Sequence, residues 1–155
     1  MSPARVVSIN RSAGGVPKLS IPEVRITRDG LDLDAHVYHR HGGPDKAVCL
    51  YALERIQALQ AEGHPIDIGT TGENLTVAGL DWDAVVPGVR FDIGGVELEC
   101  TEWAQPCATI AGSFHDGRSG RIGHKTHPGW SRIYARVRVE GTVRVGAPVH
   151  LLPMA

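Results

Sequence analysis

The chain has 155 residues, of which 42% are hydrophobic and 21% charged, with a formal net charge of −1. That length predicts a single domain over residues 1–155, able to bury a core without disulfides, and the ordinary composition excludes disorder, collagen and coiled coil. The near-neutral charge excludes a global field that would draw nucleic acid or an anionic membrane surface.

Val6 to Asn10 reads as a first strand, followed by the glycine-rich turn Gly14-Gly15-Val16-Pro17. Glu23 to Thr27 alternates polar and apolar residues as a half-buried strand does, and Asp29-Gly30 closes it. Ala35 to Tyr38 suggests a short strand before the loop His41-Gly42-Gly43-Pro44. Ala47 to Glu62 carries apolar residues at helical spacing, with Asp45 as a cap and Gly63 and Pro65 as stops, and is expected to be the one longer helix. A Gly/Thr loop, Gly69 to Gly72, leads into Asn74-Leu75-Thr76-Val77, and Leu80 to Val85 suggests one helical turn. Gly94-Gly95 between Val89–Ile93 and Val96–Thr101 predicts a hairpin, and so does Glu140-Gly141 between Ile133–Val139 and Thr142–Val145. Val149 to Leu152 ends the pattern. Many short strands with one long helix predict a mainly β barrel or sandwich.

The three cysteines, Cys49, Cys100 and Cys107, are an odd set without a CxxC pair. This argues against a disulfide framework and a zinc knuckle, and fits a reducing cytoplasm. The N-terminus shows no apolar leader and no stretch approaches the roughly 18 apolar residues of a membrane span, so a cytoplasmic protein is expected.

Cys107 follows Pro106, and Ala108 to Ala111 can form a helical turn after it. Free N–H groups at such a turn lower a thiol pKa and supply thiolate; the alternative is a buried, inert cysteine. Cys49 and Cys100 read as core. His36, His39 and His41 cluster, either as loop histidines or, with a thiolate, as zinc ligands. Thr70-Thr71-Gly72-Glu73-Asn74 offers backbone N–H groups, hydroxyls and an amide, either as an anion cradle or as an ordinary turn. His124, Lys125, His127, Trp130 and Arg132, after Arg118 and Arg121, make a basic and aromatic stretch that could line a phosphate or carboxylate pocket or lie on the surface. Thirteen of the sixteen basic residues are arginine. The stretch from Gly112 to Gly129 is long and short of apolar residues, as functional loops often are.

Five pieces in order, Ser8-Ile9-Asn10, Gly14-Gly15-Val16-Pro17-Lys18, His41-Gly42-Gly43-Pro44, Gly72-Glu73-Asn74-Leu75 and Pro106-Cys107, resemble the MOSC domain, the domain similar to the C-terminal part of molybdenum cofactor sulfurases. The resemblance runs from about Val6 to Leu151. It implies an antiparallel closed β-barrel of the MOSC, pyruvate-kinase-barrel-like type with one longer helix and short peripheral helices. It also implies that Cys107 is the reactive thiol, carrying sulfur as a persulfide or ligating molybdenum in a molybdopterin cofactor.

On that resemblance Cys107, His41 and Glu73 are the expected catalytic residues. Lys18, Thr71, Gly72, Asn74, Arg121, His127 and Arg132 are expected to bind cofactor. Relatives with bound cofactor reduce N-hydroxylated compounds, so a sulfur-containing or N-hydroxylated small molecule and a separate electron donor or cofactor enzyme are the implied partners. Pyridoxal phosphate binding is a further family-level expectation. A zinc-dependent hydrolase or C–S lyase using Cys107, His41 and His36 (or Glu73), and a non-catalytic delivery module, are the rival readings. The exposed edges of a small β domain make a homodimer reasonable. The family often has an arginine three residues before the cysteine; here Ala104 stands there, and Arg121, Lys125 and Arg132 are the candidate replacements.

Overall fold

The structure, a computed structural model, describes residues 3–34 and 44–153. The described strands are β1 (Arg5–Arg11), β2 (Leu19–Ile21), β3 (Glu23–Thr27), β4 (Gly30–Leu31), β5 (Val48–Ala52), β6 (Leu75–Ala78), β7 (Arg90–Ile93), β8 (Val96–Trp103), β9 (Ile133–Val139), β10 (Gly141–Arg144) and β11 (Val149–Leu151). One α-helix, α1 (Leu53–Ala61), and short 3-10 turns complete them. The fold is therefore mainly β. Eight strands form one sheet in the order β11-β7-β8-β9-β5-β6-β1-β2, and β10-β3-β4 form a second, three-stranded sheet. The alternating burial of β3, with Val24 and Ile26 inside and Glu23 and Arg25 outside, is the pattern its sequence announced.

Among the described residues the strand order leaves β11 and β2 at the two ends of the larger sheet, so that order by itself does not establish the expected closed barrel. The chain just ahead of β11 nonetheless runs beside β1. Val6 N donates to Ala147 O at 2.9 Å, Gly146 N to Val6 O at 2.8 Å, and Val149 N to Ala4 O at 3.0 Å.

Two expectations change. The predicted helix from Ala47 to Glu62 is a strand followed by a shorter helix. Ala47 to Ala52 are all buried, and β5 pairs with both β6 and β9. A continuous apolar run fits a fully buried strand as well as a helix, and periodicity alone does not separate them. Asp45 accordingly caps no helix; its carboxylate pairs with Arg136 at 3.2 Å. β5 and β6 are parallel, joined through α1 as a β–α–β unit within an otherwise antiparallel sheet.

Glu140-Gly141 makes no hairpin. Only Glu140 separates β9 from β10, too few residues to reverse the chain. The strand crosses to the second sheet and sets Val143 opposite Val24, while the Glu140 carboxylate accepts the Arg28 N–H at 2.9 Å. The Gly94-Gly95 hairpin forms as read, with both glycines at positive φ. The segment from Ala35 to Gly43, with its expected strand and with His36, His39 and His41, lies outside the described residues.

The turn ahead of β6 is fixed by Gly69. It has φ +82°, and a Cβ there would collide with the Lys18 carbonyl oxygen, whereas Gly63 at φ +96° faces open space. Gly69→Ala should therefore lower unfolding free energy by at least about 3 kcal/mol in urea denaturation. Gly63→Ala should cost only roughly 1–2 kcal/mol, the strain of the left-handed conformation alone.

Candidate functional site

A cavity of about 850 Å³ opens where four backbone segments meet. Gly15, Val16 and Lys18 follow β1; Thr71, Gly72 and Asn74 precede β6; residues 102–107 continue from β8; and Gly120 to Thr126 lead toward Arg132 and Tyr134 at the start of β9. Cys49 on β5 reaches its floor.

Cys107 is the exposed cysteine of the three, while Cys49 and Cys100 are buried. It sits in extended backbone, φ −141° and ψ 176°, immediately before the 3-10 turn Ala108–Ser113. Partial burial alone pushes its thiol pKa up. The Thr109 hydroxyl and N–H, the Arg132 charge and the Ile110 N–H outweigh that and hold the thiol below its ordinary value. Burial pushes Cys49 up to about 11 and Cys100 up to about 12, so neither supplies thiolate near neutrality. The Tyr134 phenol on the same wall is also pushed up to about 12, chiefly by burial.

Arg132 joins the two loops that flank the thiol. It is 6% exposed; Nη1 donates to Thr71 O at 2.7 Å, Nη2 reaches Gln105 O at 3.5 Å, and Nε is buried without a partner. Its own backbone is fixed from outside the cavity. Arg55 Nε donates to Gly129 O at 2.8 Å, the Tyr51 hydroxyl to Trp130 O at 2.5 Å, and Trp82 Nε1 to Ser131 O at 3.0 Å. The Ala104 N–H donates to Arg132 O at 2.9 Å. Ala104, where the resemblance leads one to expect arginine, is thus a buried backbone contact here, and Arg132, just ahead of β9, places a cation at the cavity.

The expected site residues divide into two groups. Cys107, Lys18, Thr71, Gly72, Asn74 and Arg132 come together at the cavity, with Lys125 and His124. Arg121 and His127 are not among the lining residues. Arg121 forms a bidentate pair with Glu62, at 2.9 and 2.6 Å, and lies over the Trp130 ring. His127 Nδ1 faces Gly120 O and the Thr126 hydroxyl.

Glu73 is fully buried behind the wall. Its carboxylate accepts from Gly69 N at 3.1 Å, the Thr71 hydroxyl at 2.9 Å and the Thr76 hydroxyl at 3.2 Å. Burial, partly offset by those bonds, leaves its pKa raised. The Glu73 carboxylate, expected to be catalytic, is thus enclosed and engaged in holding the Thr71 turn.

Lys18 and Asn74 are likewise engaged within the protein. Lys18 Nζ binds both Asp34 oxygens, at 2.7 and 2.6 Å, and Asn74 Nδ2 donates to Asp34 Oδ2 at 3.0 Å while its Oδ1 accepts from Cys49 N. An ammonium closed between two carboxylate oxygens does not fit the Schiff-base amine that pyridoxal phosphate needs. Asn10 completes this layer by donating to Glu73 O and the Thr76 hydroxyl. Asp34 was missed because nothing local marks it; its partners Lys18, Ser12 and Asn74 lie 16, 22 and 40 residues away.

The sequence also gave no sign that the Trp103 and His124 rings stack, with centroids 3.6 Å apart and planes within 5°. Among the described residues no group of three His, Cys, Asp or Glu side chains is placed to hold a metal ion. No helix among them is long and apolar enough to cross a membrane.

Comparisons with known proteins agree with this architecture. The profile of the MOSC domain matches residues 37–150. The uncharacterized protein YflK of Bacillus subtilis is 36% identical over 113 residues, covering 72% of this chain and 50% of YflK. A protein named reductase from Gibberella moniliformis is 30% identical over 125 residues, covering 77% of this chain but 22% of the reductase. The chain thus spans half or less of the length of these two relatives. The crystal structure of YiiM from Geobacillus stearothermophilus superposes with a TM-score of 0.73 at 28% identity, covering 97% of this chain and 76% of YiiM. The YuaD protein of Bacillus subtilis, at 17% identity, a TM-score of 0.78 and coverage of 96% of this chain and 94% of YuaD, shares the fold. With the family profile matched over most of its length, the chain belongs to the MOSC domain family.

Proposed function

We propose that this protein handles sulfur through the Cys107 thiolate, accepting a sulfur atom from a small donor and carrying it as a persulfide. The observation that supports this reading most is the contrast among the cysteines. Cys107 is the exposed one of the three, on an open cavity and with a depressed pKa, whereas the Cys49 and Cys100 thiols are buried and pushed up. The thiolate attacks the donor's outer sulfur; a new S–S bond forms, and the bond to the rest of the donor breaks, its electron pair leaving with that fragment. The persulfide that results is itself an anion, and the Thr109 and Ile110 N–H groups that face the sulfur suit it as they suit the thiolate. No external oxidant or reductant is consumed.

A second reading rests on the same cavity and on the resemblance to a protein named reductase. The donor set fits a molybdenum-pterin cofactor: Cys107 offers a soft sulfur, and the partly unsatisfied Arg132 and Lys125 line the same wall to receive anionic groups. When bound, such a group supplies two-electron chemistry, and reduction of an N-hydroxylated compound would draw on a separate electron donor. In that reading Cys107 binds, Arg132 orients, and the Thr71 turn held by Glu73 shapes the wall.

Two measurements test the site. Intact mass after exposure to inorganic polysulfide should show a gain of one sulfur atom that cyanide removes. Cys107→Ser should keep its fold by circular dichroism and gain none; equal loading of that variant overturns the assignment. Molybdenum in freshly isolated protein, lost in Cys107→Ser, would select the cofactor reading, and zinc at one per chain the metal-dependent hydrolase.

The pH dependence follows from the sign of the shift. A depressed thiol pKa means more thiolate at neutral pH, so alkylation of Cys107 by iodoacetamide should reach half its maximal rate at a lower pH than alkylation of a simple thiol such as 2-mercaptoethanol. A midpoint at or above that of the simple thiol removes the basis of the proposal.

A further inference from the structure

The buried cations of this domain are not treated alike. Lys18 holds both oxygens of Asp34, and Arg121, over the Trp130 ring, holds both of Glu62. Arg132 is more deeply enclosed than Arg121; among the described residues its hydrogen-bond partners are two neutral carbonyl oxygens and its Nε meets no acceptor, whereas Arg121, whose Nη1 is likewise without a partner, holds a carboxylate. A guanidinium withdrawn from water with no carboxylate bonded to it among the described residues is costly, and it attracts an incoming anion.

The rest of the cavity wall does not supply that counter-charge. Lys46 and Glu102 pair with each other at 3.2 Å, and Lys18 is neutralised by Asp34. Cancelling those pairs leaves Arg132 and Lys125 as the excess charge among the described lining residues, with the Arg132 charge felt at the Cys107 sulfur. A thiolate answers one of two positive charges, so the occupied cavity has room for one more negative group.

We infer that Cys107 acts on small electrophiles that carry an anionic group, seated against the Arg132 side of the cavity while the sulfur attacks. The inference rests on the thiolate reading above and names the class of molecule that site selects: a compact carboxylate-, sulfonate- or thiosulfonate-bearing donor rather than a neutral one. For the probe iodoacetate, the Cys107 sulfur forms an S–C bond and the C–I bond breaks. Iodide leaves with the electron pair, and no proton or oxidant enters.

The test compares two alkylating agents that differ in charge. The rate ratio of iodoacetate to iodoacetamide at Cys107, measured at neutral pH and low salt and localised by peptide mass spectrometry, is set against the same ratio for 2-mercaptoethanol. Both reagents use the thiolate, so any change in its pKa cancels in the ratio. We expect the ratio at Cys107 to exceed the reference by about tenfold or more, and to fall as salt rises. Sulfate should protect with a saturable dependence, and Arg132→Gln should return the ratio toward the reference.

Because Arg132 also ties two loops together, Lys125→Gln provides a second variant outside that strut and should lower the ratio in part. A wild-type ratio equal to the reference, or an elevated ratio untouched by both substitutions and by sulfate, overturns the inference. Slow reaction with both reagents at neutral pH would instead overturn the thiolate reading, and failure of polysulfide loading with a high ratio would overturn the sulfur reading alone.

Discussion

The site depends on one buried guanidinium. Arg132 bonds the carbonyl of Thr71 on one loop and reaches that of Gln105 on another, and its charge helps depress the Cys107 thiol. Neither loop has regular structure to place it. Without a strut between them, the distance from the Thr71 turn to the cysteine would be left to two irregular segments. The strut is held in turn by three side chains that never enter the cavity. Arg55, Tyr51 and Trp82 take the carbonyls of Gly129, Trp130 and Ser131, one after another. Those donors come from α1, from β5 and from a 3-10 turn, so the position of the guanidinium is set by the core and not by its loop.

Along and behind the cavity wall lies a second polar layer whose groups are bonded to one another. Asn10, Glu73, Asn74, Lys18 and Asp34 are joined by side-chain and backbone hydrogen bonds in a region where an unsatisfied group costs about 1–3 kcal/mol. Fully connected, such a network fixes one arrangement of the chain. Its work is to hold the turn from Gly69 to Asn74 in the one shape that presents Thr71 to Arg132. Glu73 is thereby an internal acceptor, and the Gly-Glu-Asn motif reads as framework for the site rather than as its reactive part.

The electrostatics follow from this division. The framework neutralises its cation with Asp34, while among the described residues Arg132 is answered by carbonyl oxygens. An imbalance confined to the wall beside an exposed thiol polarises that thiol toward its anion, and it favours negative ligands over neutral ones.

Much of the fold was legible in the residues. Strand β3, the Gly94-Gly95 hairpin and strand β9 appear where alternation and glycine placed them, and the exposed cysteine is the one preceded by proline. These are local properties: side-chain period and turn chemistry act over a few residues and can be read one segment at a time. What tertiary structure decided are the matters that depend on partners far along the chain. The run from Val48 to Ala52 is a strand because β6 and β9 flank it, and the chain after Glu140 leaves its neighbour because β3 offers the next unpaired edge. Lys18 is silenced by Asp34, and Arg121 by Glu62, whereas Arg132 meets no carboxylate among the described residues. Sequence fixed which charges exist; only the packing determined which of them were cancelled, since pairing is a matter of distance in space and burial of the surrounding dielectric.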